Sequence, residues 1–391
     1  MALRVFTTND VSGKKVLLRV DLNSPVIGRK IVDSPRLSEA AESIKALQRV
    51  NASVIVLAHQ GRKGKEDCLP LRQHAQLLRK KGVRVKYVGD VFGERAISVV
   101  KRLKEGRVVL LENVRFFADE MVKKSRYETL CAACDVYVND AFSVSHRVQG
   151  SIVLPPRFLP SFMGTHFAAE LESADAFLER KRGGVIYLLG GSKVEDYLSL
   201  FSVLKQKENS ILASGVLGNL LLIAKGVYLG YEQEWLKKRG HLKLIPQLRA
   251  LWNKYSQQIV LPVDFAVDAH GRKEIDISEL PSDKKIMDVG HMTVELFKQK
   301  LSGARSVFMK GPLGFSELDG FAYATVEILQ EIARVSRGGV YSLIGGGHLT
   351  TTIARDKITG FSHISSSGGA LIAYLAGEEL PGIEALKKGI N

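Results

Sequence analysis

Cysteine is scarce in this chain. Three thiols in 391 residues are too few, and odd in number, for a disulfide framework, which points to a reducing compartment. Long hydrophobic runs are missing too: none reaches the roughly 18 residues that a membrane-spanning helix needs. The start, MALRVFTTNDVSGKK, has neither the apolar stretch nor the small-residue cleavage site of a secretory signal. A cytoplasmic protein with no membrane partner is therefore expected. Zinc-finger spacing, RNP-type aromatic motifs and long basic tracts are also lacking, since clusters such as KRGG and LKKRG are short. The net charge of +15, from 56 Lys and Arg against 41 Asp and Glu, then reads as steering of small anions rather than specific nucleic-acid binding. Cys131 and Cys134 form a CxxC with no second cysteine pair, short of the four ligands of a structural zinc site.

What is present is alternation. Apolar runs of five to eight residues, rich in Val, Ile and Leu, lie at 15–22, 52–58, 83–88, 107–111 and 135–139, and again at 184–191, 210–214, 258–265, 305–311 and 339–347. Between them come stretches of helical period such as PRLSEAAESIKALQRV (35–50) and LPLRQHAQLLRKKG (69–82). Short strands without polar alternation, separated by helices, imply parallel sheets covered on both faces. The fold class expected is α/β, with two doubly wound, Rossmann-like parallel-sheet domains. A proline cluster, LPPRFLP (154–160), and a run of strong helix formers, HFAAELESADAFLERKRGG (166–184), interrupt the rhythm. The expected division is a domain at 1–165, a linker helix at 166–183 and a second domain at 184–377. A cleft between them would face the carboxyl ends of both sheets.

Two groups of residues carry chemistry. In the first half Arg36, His59, Arg62, Arg115 and Arg147 all follow apolar runs or turn signals. In an open parallel sheet, ligands bind outside the carboxyl ends of the strands, so these side chains are expected to converge on one small, multiply charged anion. Arg adds planar, bidentate recognition of phosphate or carboxylate. In the second half glycine clusters follow the strands: LLGGSKVED with Gly191, MDVGHMT with Gly290, MKGPLG with Gly311, and LIGGGHLTTT with Gly345, Gly346 and Gly347. Glycine lets backbone N–H groups approach a phosphate, and a helix starting there aims its positive end at the anion. None matches the P-loop or GxGxxG pattern. The clusters together suggest a nucleotide site.

From end to end the chain resembles phosphoglycerate kinases. The stretches that carry the likeness are LLRVDLNSP (17–25), AHQGR (58–62), LLENVRF (110–116), VYVNDAFSVSHR (136–147), LGGSKVED (189–196), LPVDFAV (261–267), GPLGFSE (311–317), LIGGG (343–347) and ELPGIEALKKG (379–389). The resemblance implies reversible phosphoryl transfer between 1,3-bisphosphoglycerate with ADP and 3-phosphoglycerate with ATP, Mg²⁺ being carried by the nucleotide, in a monomer. It also implies that the tail 378–391 packs back on the first domain. The family's triose-phosphate site maps onto Asp21, Asn23, Arg36, His59, Arg62, Arg115 and Arg147, with Arg36 steadying the transferring group and Lys193 following it. Glu317 matches the ribose-binding glutamate, and Glu170 and His363 match an acid and a histidine that meet near the hinge. His146, beside Arg147, fits a substrate contact or a structural role.

Departures from the family pattern all fall in the second half. The aspartate after the GGG triplet, which holds the nucleotide's Mg²⁺, is His348; the second lysine of KVxDK is Tyr197; and the Asn before GPxG is Lys310. The GGGM loop reads Ala213-Ser214-Gly215-Val216, and STGGGA reads Ser365-Ser366-Ser367-Gly368-Gly369-Ala370. Magnesium prefers oxygen ligands to imidazole, so no protein metal ligand is assigned. Lys310 could restore the charge lost at Tyr197. These changes leave two alternatives open: an impaired paralogue that senses phosphoglycerate-like anions, and a kinase for another small phosphorylated acid.

Overall fold

A computed structural model of the chain describes residues 3–121, 126–180 and 184–390. By internal contacts the chain divides into two units, 1–172 with 378–391, and 173–377.

The first unit is built on six parallel strands: β1 (Lys15–Val20), β2 (Ser53–Leu57), β3 (Val85–Tyr87), β4 (Val108–Leu110), β5 (Val136–Asp140) and β6 (Ser161–Met163). Their order is β3-β4-β2-β1-β5-β6, with Val16 opposite Val54 on one side and Val136 on the other. β2 and β5 are buried along their whole length, which explains why Val54–Leu57 and Val136–Val138 run without polar alternation. The helix Pro35–Arg49 starts on a proline at its first position and buries Leu37, Ala40, Ala41, Ile44 and Leu47, a stripe of helical spacing. That stripe joins Val16, Leu18, Val54 and Val56 in one core. The chain lays β2, β3 and β4 on one side of β1 and then crosses from β4 to β5 on the other, so the switch point lies between β1 and β5. The helix Pro381–Lys388 belongs to this unit: Gly382 N–H donates to Ser145 O at 2.8 Å, and Ile390 N–H to Pro156 O at 3.0 Å.

The second unit has its own six parallel strands: β7 (Val185–Leu189), β8 (Ser210–Ala213), β9 (Ile259–Val260), β13 (Ser306–Lys310), β14 (Tyr341–Gly345) and β15 (His363–Ser365), in the order β9-β8-β7-β13-β14-β15. A small antiparallel sheet, β11-β10-β12, accompanies it, from β10 (Asp264–Asp268), β11 (Arg272–Asp276) and β12 (Ile286–Val289). The apolar run 258–265 is therefore not one strand. Pro262, which has no N–H to give a ladder, separates β9 in the parallel sheet from β10 in the antiparallel one. The strands β6 (SFM) and β15 (HIS) could not be read from the sequence, because their polar residues leave no apolar run to mark them. The stretch expected as a linker helix forms a helix at Thr165–Glu179, which carries the chain from one unit into the other; residues 181–183 of that expectation lie outside the described residues.

Candidate active site

At the carboxyl end of β1 the chain turns at Asp21, beside the loop that follows β5. Ser143 Oγ donates to Asp21 Oδ2 at 2.5 Å, and Asn23 N–H donates to Oδ1 at 2.9 Å. Arg36, in the first turn of its helix, lies 3.1 Å from the same carboxylate and donates to Asn23 O at 3.0 Å. Burial by itself would raise the Asp21 carboxyl; the charge of Arg36, the nearby His59 ring and the Ser143 and Asn23 hydrogen bonds outweigh it and hold Asp21 well below the usual range. Asn23 Oδ1 in turn accepts from Gly61 N–H at 2.8 Å, tying the loops after β1 and β2 together.

His59 is 2% exposed. Burial and the positive charges of Arg19, Arg115 and Arg36 push its pKa well below the ordinary value despite Asp21, so it is neutral at pH 7. The charge comes from guanidinium groups instead. Arg115 is buried, donates to Gly61 O, and is lowered to about 10 by burial and by Arg19 and Arg147, which still leaves it charged. Arg62 is exposed. With Lys63, the arginines 62, 115 and 147 line a cavity of about 220 Å³. The acid there, Glu120, is taken up by Tyr127 Oη and by the N–H and Oγ of Ser151. Arg147 also donates to His146 at 3.2 Å.

Arg19 escaped the sequence reading. It is fully buried within β1, donates to Ser151 Oγ at 2.9 Å and to Val20 O, and contacts His59 Nδ1 at 3.1 Å. The signal was available: a lone charge inside the run KVLLRV is unusual for a strand buried on both faces.

In the second unit the turns after β7, β8 and β13 close on one another. Gly190 N–H donates to Lys310 O, and Gly191 N–H to Pro312 O, both at 2.8 Å. Gly311 adopts φ +78°, and a Cβ there would sit 2.3 Å from Gly190 O; only glycine fits this approach. Gly346 borders the same turn, since a Cβ on it would lie 3.8 Å from Gly311 N. Gly191, Gly215, Pro312, Glu317 and His348 line a cavity of about 260 Å³. The helices Gly215–Lys225 and Gly347–Arg355 begin at these turns. Gly290 is not among the cavity's lining residues. A Cβ on it would strike Asp264, whose carboxylate accepts from Met292 N–H, Thr293 N–H and Thr293 Oγ1 at the start of the next helix.

Tyr197 and Lys310 share this neighbourhood. The buried Tyr197 hydroxyl donates to Gly190 O at 2.5 Å and approaches Lys310 O at 3.3 Å, so it braces the glycine turns. Lys310 is 7% exposed. Burial lowers its ammonium to about 8, with Lys193 pushing the same way and Asp196 opposing. Its Nζ faces Gly368, 3.6 Å from where a Cβ would be. For Mg²⁺ the donor set fits poorly: His348 offers nitrogen, and the carboxylate acting on the Lys310–Lys193 pair is that of Asp196. Elsewhere, Asp264, Glu274 and His291 cluster, but Asp264 caps a helix and Glu274 is held by Arg272 and His291. Cys131 and Cys134 are buried, and burial pushes the Cys131 thiol up to about 12, which makes it inert. Glu170 lies on the helix Thr165–Glu179 and His363 opens β15.

A doubly wound sheet with an arginine-lined cavity, and a second with glycine turns over a cavity of about 260 Å³, fit a phosphotransferase of the two-domain α/β class. The family model for phosphoglycerate kinase matches residues 6–378. The phosphoglycerate kinase of Methanopyrus kandleri is 36% identical, covering 96% of this chain and 95% of the relative; that of Pyrococcus furiosus is 37% identical with the same coverage. The crystal structure of phosphoglycerate kinase from Pyrococcus horikoshii superposes with a TM-score of 0.91 at 36% identity, covering 99% of this chain and 98% of that one. The structure from Coxiella burnetii gives 0.77 at 28% identity, covering 97% of each chain. The chain belongs to the phosphoglycerate kinase family. Its activity is reversible phosphoryl transfer between 1,3-bisphosphoglycerate with ADP and 3-phosphoglycerate with ATP, and nothing in these likenesses favours the sensor or other-acid readings.

Proposed function

We propose that the first unit binds the triose phosphate and the second the nucleotide, in a cytoplasmic monomer. The observation that carries this is the pair of complementary cavities: guanidinium groups of Arg62, Arg115 and Arg147 line one, while glycine turns and helix starts border the other. Arg36, oriented by Asp21, neutralises charge on the transferring phosphoryl group. Lys193, exposed at the end of the β7 turn, accompanies it. Asn23 fixes the loop that carries Gly61, and neutral His59 donates or accepts a hydrogen bond rather than a charge. The backbone of Gly191, Gly311 and Gly345–Gly347 cradles the phosphates, and Glu317 takes the ribose. Gly290 acts through the helix cap at Asp264 rather than on the nucleotide. Phosphoryl transfer needs positioning and charge neutralisation above all.

Two measurements test the assignment. Affinity for 3-phosphoglycerate, followed by calorimetry, falls on the order of tenfold between low and moderate salt, because guanidinium groups meet a multiply charged anion. Failure to bind at millimolar ligand under both conditions removes the triose-phosphate assignment. In the other unit, His348→Asp places a carboxylate at the second residue of the helix Gly347–Arg355. An oxygen ligand replaces imidazole, and Mg²⁺-ADP binds about tenfold tighter. Wild type, with only nitrogen at this position, works better with Mn²⁺ than with Mg²⁺. Unchanged affinity and unchanged metal preference would show that position 348 does not face the nucleotide's metal.

A further inference from the structure

Beyond the glycine turns the nucleotide cavity continues to Asn219, Glu232, Trp235, Lys285, Leu313 and Phe315. Glu232 is the anomaly. It sits in the first turn of the helix Tyr231–Lys238, where a glutamate ordinarily faces water, yet it is 2% exposed. Asn219 Nδ2 donates to Oε1 at 3.3 Å. The other oxygen, Oε2, is buried with no hydrogen-bond partner of full geometry, although the Ile286 N–H lies close enough to act on the carboxylate. Lys285 does not form a close ion pair with it: its ammonium lies 4.2 Å from the centroid of the Trp235 ring and 4.3 Å from that of Phe315. A buried acceptor without a donor costs about 1–3 kcal/mol, so its persistence inside a ligand cavity calls for a donor that arrives with the ligand.

We propose that Glu232 reads the base of the nucleotide, its Oε2 accepting a hydrogen bond from the exocyclic amino group of adenine. This rests on the reading of the cavity as the nucleotide site. Phosphates at the glycine turns leave the base at the far end, among Leu313, Trp235, Phe315 and the Lys285 ammonium that lies against both rings, with its edge at Glu232. Adenine matches the state of this carboxyl. Burial raises it to about 7, opposed by Lys285, Asn219 and the Ile286 N–H, so near neutrality it is partly protonated. Adenine's edge carries an amino donor beside a ring-nitrogen acceptor, and a protonated carboxyl can satisfy both. Guanine presents two donors, which only the carboxylate satisfies. Asn219 positions Glu232 and has no direct part in reading the base.

The test compares kcat/KM, in the ATP-forming direction, for ADP, GDP and purine riboside 5′-diphosphate, which lacks the 6-amino group. Wild type favours ADP over the deamino analogue by about 10–100-fold, the cost of leaving the buried acceptor unpaired. In Glu232→Ala that ratio drops to within about threefold, while affinity for 3-phosphoglycerate is unchanged. Glu232→Gln, which keeps a carbonyl acceptor, retains part of the preference and guards against a folding defect in the alanine variant. A merely structural glutamate would lower all three nucleotides equally and leave the ratio intact, which overturns the proposal. A wild-type preference for GDP overturns the choice of adenine. Turnover with none of the three would instead strike at the nucleotide reading beneath it.

Discussion

Arg36→Ala lowers kcat by about 10²–10³-fold, the expected cost of one preorganised charge donor in a closed site. Arg36 is well placed for that role. Its side chain is 25% exposed, and Asp21 at 3.1 Å with Asn23 O at 3.0 Å fix its orientation, so little reorganisation is required as charge develops. The fold survives, because Asp21 keeps its bonds from Ser143 and Asn23. What changes is acid stability. In wild type the folded Asp21 carboxyl lies below its unfolded value of 3.8, so its contribution is present above about pH 4 and is lost as pH falls through the folded value. Without Arg36 the folded value rises toward 3.8 and that contribution shrinks. Thermal melts at about pH 7 and about pH 2–3, inside the range where the Asp21 contribution is lost, read alongside kcat, separate the two effects. A variant with near-normal turnover would remove Arg36 from the mechanism.

Lys310→Met lowers kcat/KM for Mg²⁺-ADP by about 10²-fold and flattens its alkaline limb. The ammonium, lowered to about 8 by burial, is charged below that pH and neutral above it, so in the free enzyme kcat/KM falls as pH rises through about 8. Bound phosphate restores the charge by favouring the protonated form, so kcat itself falls only at higher pH. Stability runs the other way. Between about 8 and the unfolded value of 10.5 the unfolded chain holds the extra proton, so the wild type gains stability as pH rises. Lys310→Met, with no charge to bury, loses that slope. An alkaline limb that persists in the variant would assign the titration to another group.

Much of the fold was legible because it depends on local pattern. Runs such as ASVIVLAHQGR announce a strand buried on both faces followed by a turn, and PRLSEAAESIKALQRV announces a helix by proline and spacing. The split of 258–265 between two sheets was not legible, because an apolar run carries no record of which strands lie beside it. Among site residues, the arginines could be found because strand ends in a parallel sheet converge whatever the sequence between them. Glu232 could not: a glutamate in the first turn of a helix reads as ordinary, and only packing turns it inward.

By itself the sequence determined the alternation of strands and helices, the guanidinium groups after the strands of the first unit, and the glycine turns after those of the second. These follow from side-chain period and backbone freedom, which act over a few residues. The tertiary structure decided what those residues are chemically. Ser143 reaches Asp21 across 122 positions of chain. Burial, with Arg19, Arg115 and Arg36, pushes the His59 pKa well down, and burial beside Lys193 moves Lys310 toward neutrality. Protonation and hydrogen bonding depend on desolvation and on charges brought close by folding, and neither quantity exists until the chain has closed on itself.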